Sequence, residues 1–215
     1  MKNKALVIGI ILVLVVGFFV AVKSYQNSVD TNNQKLAQNT NTAPFVREHS
    51  PSFGLNKNSV VITEFLDPEC ESCSVFHPTI KEVFTDYQDE TKLVIRYLAN
   101  HENSKFAIRL LEAARLQNKY NEALEVMFKN QDKWAQHNNT KPELLWTLLS
   151  VTSLDMTKLK ADFESNDIDD MLSLDRKDAI TLGVRGTPTF FVNGKKLQSL
   201  NHKALQDLVE SEIYK

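Results

Sequence analysis

The spacing of apolar positions changes along the chain, and the change predicts alternating strands and helices. Val60–Leu66 is apolar at most positions, which is typical of a strand buried on both faces of a sheet. A second such strand is predicted at Lys92–Leu98. After each strand, apolar residues recur every three or four positions, as in helices that bury one face. The predicted order is strand, helix, strand, helical block, strand, hairpin, strand and helix.

The second half of the chain is predicted to contain a helical block and then a hairpin. The predicted helices are Ser104–Gln117, Tyr120–Gln131, Pro142–Val151, Met156–Phe163 and Ile168–Leu182, with a loop at Trp134–Asn139. Strands return at Thr189–Val192 and Lys195–Leu197, joined by Asn193-Gly194, a dipeptide that favours a two-residue hairpin turn. An amphipathic helix over Leu205–Ile213 completes the pattern.

The N-terminus is apolar without periodicity. Ala5–Val22 is an uncharged run of 18 residues, near the shortest length that spans a bilayer and longer than most signal-peptide cores. Lys2 and Lys4 precede it and favour a cytoplasmic N-terminus, with the rest of the chain outside. Because no small-x-small cleavage site follows, we predict an uncleaved signal anchor over residues 1–23. A cleaved signal peptide is the alternative.

The remaining chain is predicted to form a polar linker and one domain. Residues 24–50 are rich in Asn, Gln, Thr and Ser, which is typical of a flexible tether. Residues 51–215 are long enough to bury a core without structural staples, with a helical insertion at about 101–182. The net charge of −2 gives no electrostatic reason to expect nucleic acid or an anionic membrane surface as a partner.

The two cysteines of the chain, Cys70 and Cys73, lie between the first predicted strand and the helix after it. The free N–H groups and positive dipole end of that helix would stabilise a Cys70 thiolate, the reactive form of the side chain. Cys73 falls one turn into the helix, close enough to form a disulfide with Cys70. The spacing therefore predicts a redox pair that exchanges disulfides with other proteins outside the cytoplasm, where disulfides persist.

Three alternatives compete with the redox interpretation. A structural disulfide would close a loop too short to constrain the unfolded chain appreciably. A copper or zinc site could use Cys70, Cys73 and His77, which follows Cys73 by four residues, although zinc usually takes four ligands. The third alternative is a domain that binds partners without catalysis, and the presence of both cysteines argues against it.

Two further positions are candidates for the site. Glu64 interrupts an apolar strand, so it either faces solvent at an end of the sheet or is buried near the cysteines. Burial would raise its pKa and let it exchange a proton with a thiol. The segment Gly186-Thr187-Pro188-Thr189 opens the third strand. A cis bond before Pro188 would free the Thr187 backbone to pair with an extended substrate; a trans bond is the ordinary alternative.

Together these features resemble the thioredoxin superfamily and, within it, the DsbA-like thiol:disulfide oxidoreductases. The matching features are the CxxC after the first core strand, Glu64 six residues before it, Pro78 five residues after it and the Gly-x-Pro-x segment before a hairpin. The helical block is similar to the DsbA insertion, and the resemblance covers residues of about 55–213. It implies an α/β thioredoxin fold with an inserted helical domain, here preceded by a membrane anchor.

The resemblance also implies roles for the residues. Cys70 would be the nucleophile that forms a mixed disulfide, and Cys73 would resolve it. Pro188 would be cis and face the disulfide, and Thr187 would hold the substrate backbone. No cofactor is expected. We expect a monomer anchored by one span, in the periplasm or on the outer face of the membrane. It would exchange disulfides with exported proteins and be recycled by a membrane redox partner, as an oxidase rather than a reductase or isomerase.

One departure from the family concerns charge. Strongly oxidising members carry Pro-His between the cysteines, whereas this chain has Glu71-Ser72, and Asp67 and Glu69 precede Cys70. Like charge disfavours a thiolate, so we expect Cys70 to be less acidic than in those members and its disulfide to be a milder oxidant. The alternative is that the three carboxylates face solvent and are screened.

Overall fold

The computed structural model describes residues 43–137 and 139–215, together with Gly17 and Lys23. Its contacts divide the chain into two units, Met1–Pro44 and Phe45–Lys215. The predicted anchor over 1–23 and most of the predicted linker over 24–50 therefore lie outside the described residues. Within the part of the chain that the structure describes, no helix combines the length and apolar character needed to span a membrane.

The second unit is an α/β domain built on a five-stranded sheet of order β1-β3-β2-β4-β5. The strands are β1 (Ser52–Phe53), β2 (Val60–Leu66), β3 (Thr91–Tyr97), β4 (Thr189–Val192) and β5 (Lys195–Lys196). The helices are α1 (Glu71–Asp86), α2 (Ser104–Arg115), α3 (Tyr120–Lys129), α4 (Gln131–Trp134), α5 (Leu144–Leu149), α6 (Met156–Ser165), α7 (Asp169–Thr181) and α8 (His202–Ile213).

Strand β2 is the centre of the sheet, and all seven of its residues are buried. It runs parallel to β3 and antiparallel to β4. A parallel pair needs a crossover connection, and α1 supplies it. Leu66 pairs with Tyr97, so the loops that follow β2 and β3 leave the sheet at the same edge. This arrangement brings the cysteine segment next to the loop that leads into the helical insertion.

Among the described residues the core contains three clusters of buried side chains, and two of them include residues of α1 or the cysteines next to it. One cluster joins β2, β4, α1 and α8 and includes Ile62, Ile80 and Leu205. Another joins both cysteines to the buried side chains of α2–α6, among them Leu110 and Met127. Because the cysteines belong to the second cluster, the redox pair lies at the junction between the sheet and the helical insertion.

The segment Phe45–Ser50 belongs to the domain rather than to the predicted linker. The ring centroids of Phe45 and Phe191 lie 4.9 Å apart. The Arg47 guanidinium donates two hydrogen bonds of 2.8 Å to Asp178 on α7, and the neighbouring Asp175 contacts His49 at 2.7 Å. The second unit therefore begins at Phe45 instead of 51, because polar residues of this segment bond to buried carboxylates of α7.

The elements differ from the predicted ones mainly at their ends. Strand β1 has only two residues and no pattern that predicts it; it forms by pairing with β3. Trp134, predicted in a loop, ends α4, and its indole N–H donates to the Met127 carbonyl at 2.9 Å. The hairpin turn matches its dipeptide, since Asn193 and Gly194 have φ values of 47° and 81°, as a type I′ turn requires.

Candidate active site

The two cysteines lie at the start of α1. Cys70 is the N-cap residue, and its carbonyl accepts hydrogen bonds from the N–H groups of Cys73 and Ser74 at 3.1 and 3.2 Å. Both thiols are free, and both are buried: Cys70 is 8% exposed and Cys73 only 1%. Sequence spacing predicted this position. Because Cys70 is the more exposed of the two cysteines, an incoming sulfur atom can reach Cys70 before Cys73.

Cys70 is the acidic thiol of the pair. A hydrogen bond from the Cys73 thiol, helped by Thr187 and by the N–H groups of Cys73 and Ser72, outweighs burial and lowers its pKa to about 5. The donors from Ser72 and Cys73 belong to the first turn of α1, where the helix dipole also favours negative charge. Cys70 is thus a thiolate at neutral pH, the form that attacks a disulfide.

Cys73 has the opposite electrostatic environment. Burial raises its pKa well above the usual value for a thiol, and the hydrogen bond to Cys70 and the nearby Glu64 carboxylate raise it further. Cys73 therefore keeps its proton at neutral pH. It can act as a nucleophile only if a neighbouring group accepts that proton.

The Glu64 carboxyl group is buried inside the sheet, so the solvent-facing alternative is wrong. It lies in the middle of β2, between Ile95 of β3 and Phe190 of β4, and only 3% of it is exposed. Desolvation raises the pKa of Glu64 to about 8. A carboxyl group with this pKa is mostly protonated at neutral pH and reaches half-ionisation near pH 8, so both of its protonation states are accessible and it can accept and return a proton.

The segment before β4 faces the cysteines. The Thr187–Pro188 peptide bond is cis. The Thr187 carbonyl oxygen lies 3.2 Å from the Cys70 sulfur. The neighbouring Thr189 hydroxyl donates to the Gly186 carbonyl at 2.7 Å and ties the turn together. The structure therefore brings Thr187 and Pro188 together with Cys70, although they are more than a hundred residues apart in the chain.

The Asp67 side chain is buried and bonds to the segment that leads into α2 rather than to solvent. It is fully buried, and its Oδ2 accepts hydrogen bonds of 2.9 Å from the Asn100 N–H and the Ser104 hydroxyl. The same oxygen lies 2.8 Å from Nδ1 of His101. Burial opposes protonation of His101, but this hydrogen bond and charge attraction raise its pKa. Asp67 thus joins the cysteine segment to the start of the insertion.

The other two carboxylates behave differently from each other. Glu69 is buried and accepts hydrogen bonds from the N–H and side-chain amide of Asn103 at 2.6 and 3.0 Å. Glu71 is exposed and lies 3.3 Å from the exposed His137. The expected picture of three carboxylates crowding Cys70, or three facing solvent, is therefore wrong. Asp67 and Glu69 are buried hydrogen-bond acceptors, and Glu71 alone faces water.

Gln131 is a site residue that the sequence does not predict. Its side-chain amide donates to the carbonyls of Pro68 and Cys70 at 2.9 and 3.1 Å. These bonds satisfy backbone acceptors of the buried segment before α1. Nothing in local spacing could have revealed this contact, because Gln131 comes from α4 of the insertion.

The metal alternative lacks its ligand set. Over residues 43–137 and 139–215, no group of three or more His, Cys, Asp or Glu side chains is arranged to hold a metal ion. His77 instead packs its ring on Phe128, with centroids 5.0 Å apart. Burial lowers the pKa of His77.

Known proteins share this architecture. A family model described as thioredoxin matches residues 47–211. The chain belongs to the thioredoxin family. Its fold, with the inserted helices and a redox-type cysteine pair, is that of the family's DsbA-like thiol:disulfide oxidoreductases. A probable disulfide bond formation protein D of Bacillus cereus is 24% identical over all of this chain and 99% of its own length.

Other family matches differ in how much of each protein they cover. The crystal structure of a thioredoxin-like oxidoreductase from Silicibacter pomeroyi is 25% identical, with a TM-score of 0.65 over 78% of this chain and 94% of that one. A protein named Na(+)/H(+) antiporter NhaA, from Herminiimonas arsenicoxydans, is 27% identical over 65% of this chain. That match spans only 21% of the antiporter, so the domain also occurs within a much longer protein.

Proposed function

We propose that this protein is an extracytoplasmic thiol:disulfide oxidoreductase that exchanges disulfides with exported proteins. The observation that carries the proposal is the contrast between its two thiols. The pKa of Cys70 is lowered to about 5, whereas burial raises that of Cys73 far above its usual value. Such a pair provides one reactive thiolate and one thiol held in reserve for the second step.

Disulfide transfer would proceed through a mixed disulfide. A substrate thiolate attacks the Cys70 sulfur of the Cys70–Cys73 disulfide, the bond between the cysteines breaks, and Cys73 leaves with the electron pair. A second substrate thiolate then attacks the substrate sulfur of the mixed disulfide and releases Cys70 as a thiolate. Two substrate thiols lose two electrons, and the protein gains them as a dithiol.

Glu64 would serve as the proton partner of Cys73. The departing Cys73 sulfur needs a proton, because a buried thiolate beside a carboxylate is unfavourable. Glu64 can donate one, since its pKa of about 8 keeps it mostly protonated at neutral pH. In the reverse direction, ionised Glu64 would remove the proton when Cys73 attacks the mixed disulfide.

Substrate would bind beside Thr187 and Pro188. Thr187 is half-buried, and its carbonyl group lies next to the Cys70 sulfur. A substrate strand that paired with the backbone of Thr187 would bring its own cysteine to Cys70 by β-strand addition. Main-chain pairing does not depend on the substrate's side chains, which suits an enzyme with many exported substrates.

Oxidation is the favoured direction. Whatever stabilises the Cys70 thiolate stabilises the dithiol state, and a stable dithiol makes its disulfide a stronger oxidant. A membrane anchor over 1–23, a membrane partner that reoxidises the dithiol and a monomeric state remain parts of this proposal. The anchor follows from the apolar N-terminal run, the monomeric state from a sequence in which no dimerisation module is recognisable, and the membrane partner from the DsbA-like resemblance.

Trapping of the mixed disulfide tests the proposal. The full chain carrying Cys73→Ser, incubated with a disulfide-bonded peptide, should accumulate a covalent adduct on Cys70, because no second thiol can resolve it. Cys70→Ser should form none, since Cys73 is buried and protonated. Mass spectrometry gives both adduct yields. Equal adducts on the two variants, or none on either, would overturn the proposal.

A further inference from the structure

A cavity of about 240 Å³ connects Glu64 with the protein surface. It lies between α1, α3 and the sheet, and aliphatic and aromatic side chains form most of its walls. Glu64 lines this cavity, and only 3% of the residue is exposed. Lys81 and Glu125 border its outer end, where they form an ion pair of 2.8 Å with more than half of each side chain exposed.

The Glu64 carboxyl group needs partners that the protein does not provide. Among the described residues, no donor lies within hydrogen-bond distance of its oxygens. Buried polar groups are nearly always bonded to protein or to ordered water, and one left alone costs free energy. At ~30 Å³ for each water molecule, the cavity has room for several. Water that reaches Glu64 would therefore continue to the surface.

His77 borders the same cavity on the α1 side. It is half-buried, so it borders the cavity and is also partly accessible to solvent. Burial lowers its pKa and nearby Lys81 lowers it further, while Glu125 acts in the opposite direction. Glu64 is the other ionisable carboxyl group that borders the cavity. A neutral imidazole has one donor and one acceptor nitrogen, so His77 can take up a proton on one side and release one on the other.

We propose that water in this cavity carries protons between Glu64 and His77, and that His77 exchanges them with solvent. The proposal rests on the proposed function, because the proton concerned is the one that Cys73 loses or gains. When Cys73 attacks the mixed disulfide, its proton passes to ionised Glu64, then through water to His77 and out. The Cys73 sulfur forms the new bond to Cys70, and the substrate leaves as a thiolate.

The test measures the lifetime of the mixed disulfide between Cys70 and glutathione. The reduced full chain reacts with oxidised glutathione, acid quenches the reaction at set times, and mass spectrometry counts the adduct. With His77→Ala, resolution should slow roughly tenfold, less than the ~10²-fold of a direct acid or base, because His77 acts through Glu64. Imidazole added at tens of millimolar should restore much of the rate, since the substitution leaves space for it.

Three further variants separate a proton route from a structural effect. His77→Gln should be slow and not rescued by imidazole, because the amide fills the space without carrying a proton. Asn121→Trp, at an exposed position on the cavity's rim on α3, should slow resolution by obstructing the water. His137→Ala, at an exposed histidine that does not border this cavity, is the matched control and should resolve at the wild-type rate.

The outcomes distinguish the two proposals. If reduced wild-type protein forms neither a glutathione adduct nor the Cys70–Cys73 disulfide that resolution of the adduct produces, the proposed function fails. If the adduct forms, two results refute the proton role of His77. One is a His77→Ala variant that resolves the adduct at the wild-type rate, and the other is a variant that resolves it more slowly but is not rescued by imidazole. If Asn121→Trp resolves at the wild-type rate, the route through the cavity is refuted.

Discussion

Replacement of Glu64 by Gln should stabilise the protein in alkaline solution and leave its stability unchanged in acid. The pKa of Glu64 is raised from 4.5 to about 8 by burial. Between these two values the folded protein holds a proton that the unfolded chain has lost, so stability falls as pH rises. Each unit of pKa difference corresponds to about 1.36 kcal/mol. The loss therefore approaches about 5 kcal/mol above pH 8 and vanishes below pH 4.5.

Gln has the shape of the protonated carboxyl group and does not ionise. The difference in unfolding free energy between Glu64→Gln and wild type should thus grow from near zero at pH 4 to several kcal/mol at pH 9. Urea titrations of both proteins, in the reduced state and across this pH range, measure it.

Glu71→Gln is the matched control for this experiment. Its carboxylate is 71% exposed, so this substitution should give a small difference in unfolding free energy at every pH. A Glu64→Gln difference that stays flat between pH 5 and pH 8 would refute the assignment of a buried, protonated carboxyl group.

Three further outcomes follow from other parts of the structure. Arg96→Met should destabilise the domain by about 3–5 kcal/mol in urea unfolding, because it leaves Asp175 and Asp178 buried without the Arg96 guanidinium; a loss below about 1 kcal/mol would contradict this. Alkylation of Cys70 by iodoacetamide should rise through a midpoint near pH 5, the pKa at which its thiolate forms, and a midpoint near pH 8 would exclude a stabilised thiolate. Asp67→Ala should lower the unfolding free energy by about 1–3 kcal/mol, since it removes the carboxylate that accepts from the Asn100 N–H and makes the shorter hydrogen bond of the buried Ser104 hydroxyl; unchanged denaturant midpoints would argue against it.

The central part of the fold could be predicted because its signals are local. An apolar run long enough for one strand, followed by positions spaced for a helix, predicted both β2 and α1. The cysteine spacing predicted their place at the helix start, and an acidic residue inside an apolar strand pointed to Glu64. The residues that carry these signals all lie between Val60 and Asp86.

What could not be predicted depends on contacts between distant segments. Strand β1 has two residues and needs β3 to form. Gln131 reaches Cys70 only because the insertion folds back over the first turn of α1. Asp67 was expected to repel the Cys70 thiolate through space, but its oxygens are held by the loop before α2. The sequence shows which side chains are charged and with which sign. The effect of such a charge on a neighbouring group depends on the hydrogen-bond partners that the fold brings close to it.

The reduction potential of the Cys70–Cys73 pair tests the central claim most directly. The full chain would be equilibrated with mixtures of reduced and oxidised glutathione, and the fraction of dithiol would be counted after acid trapping. A thiolate stabilised as described here predicts a reversible two-electron transition between about −120 and about −200 mV, in the range of oxidising family members. A value near about −270 mV would contradict the favoured oxidative direction, and the absence of a reversible transition would contradict redox function itself.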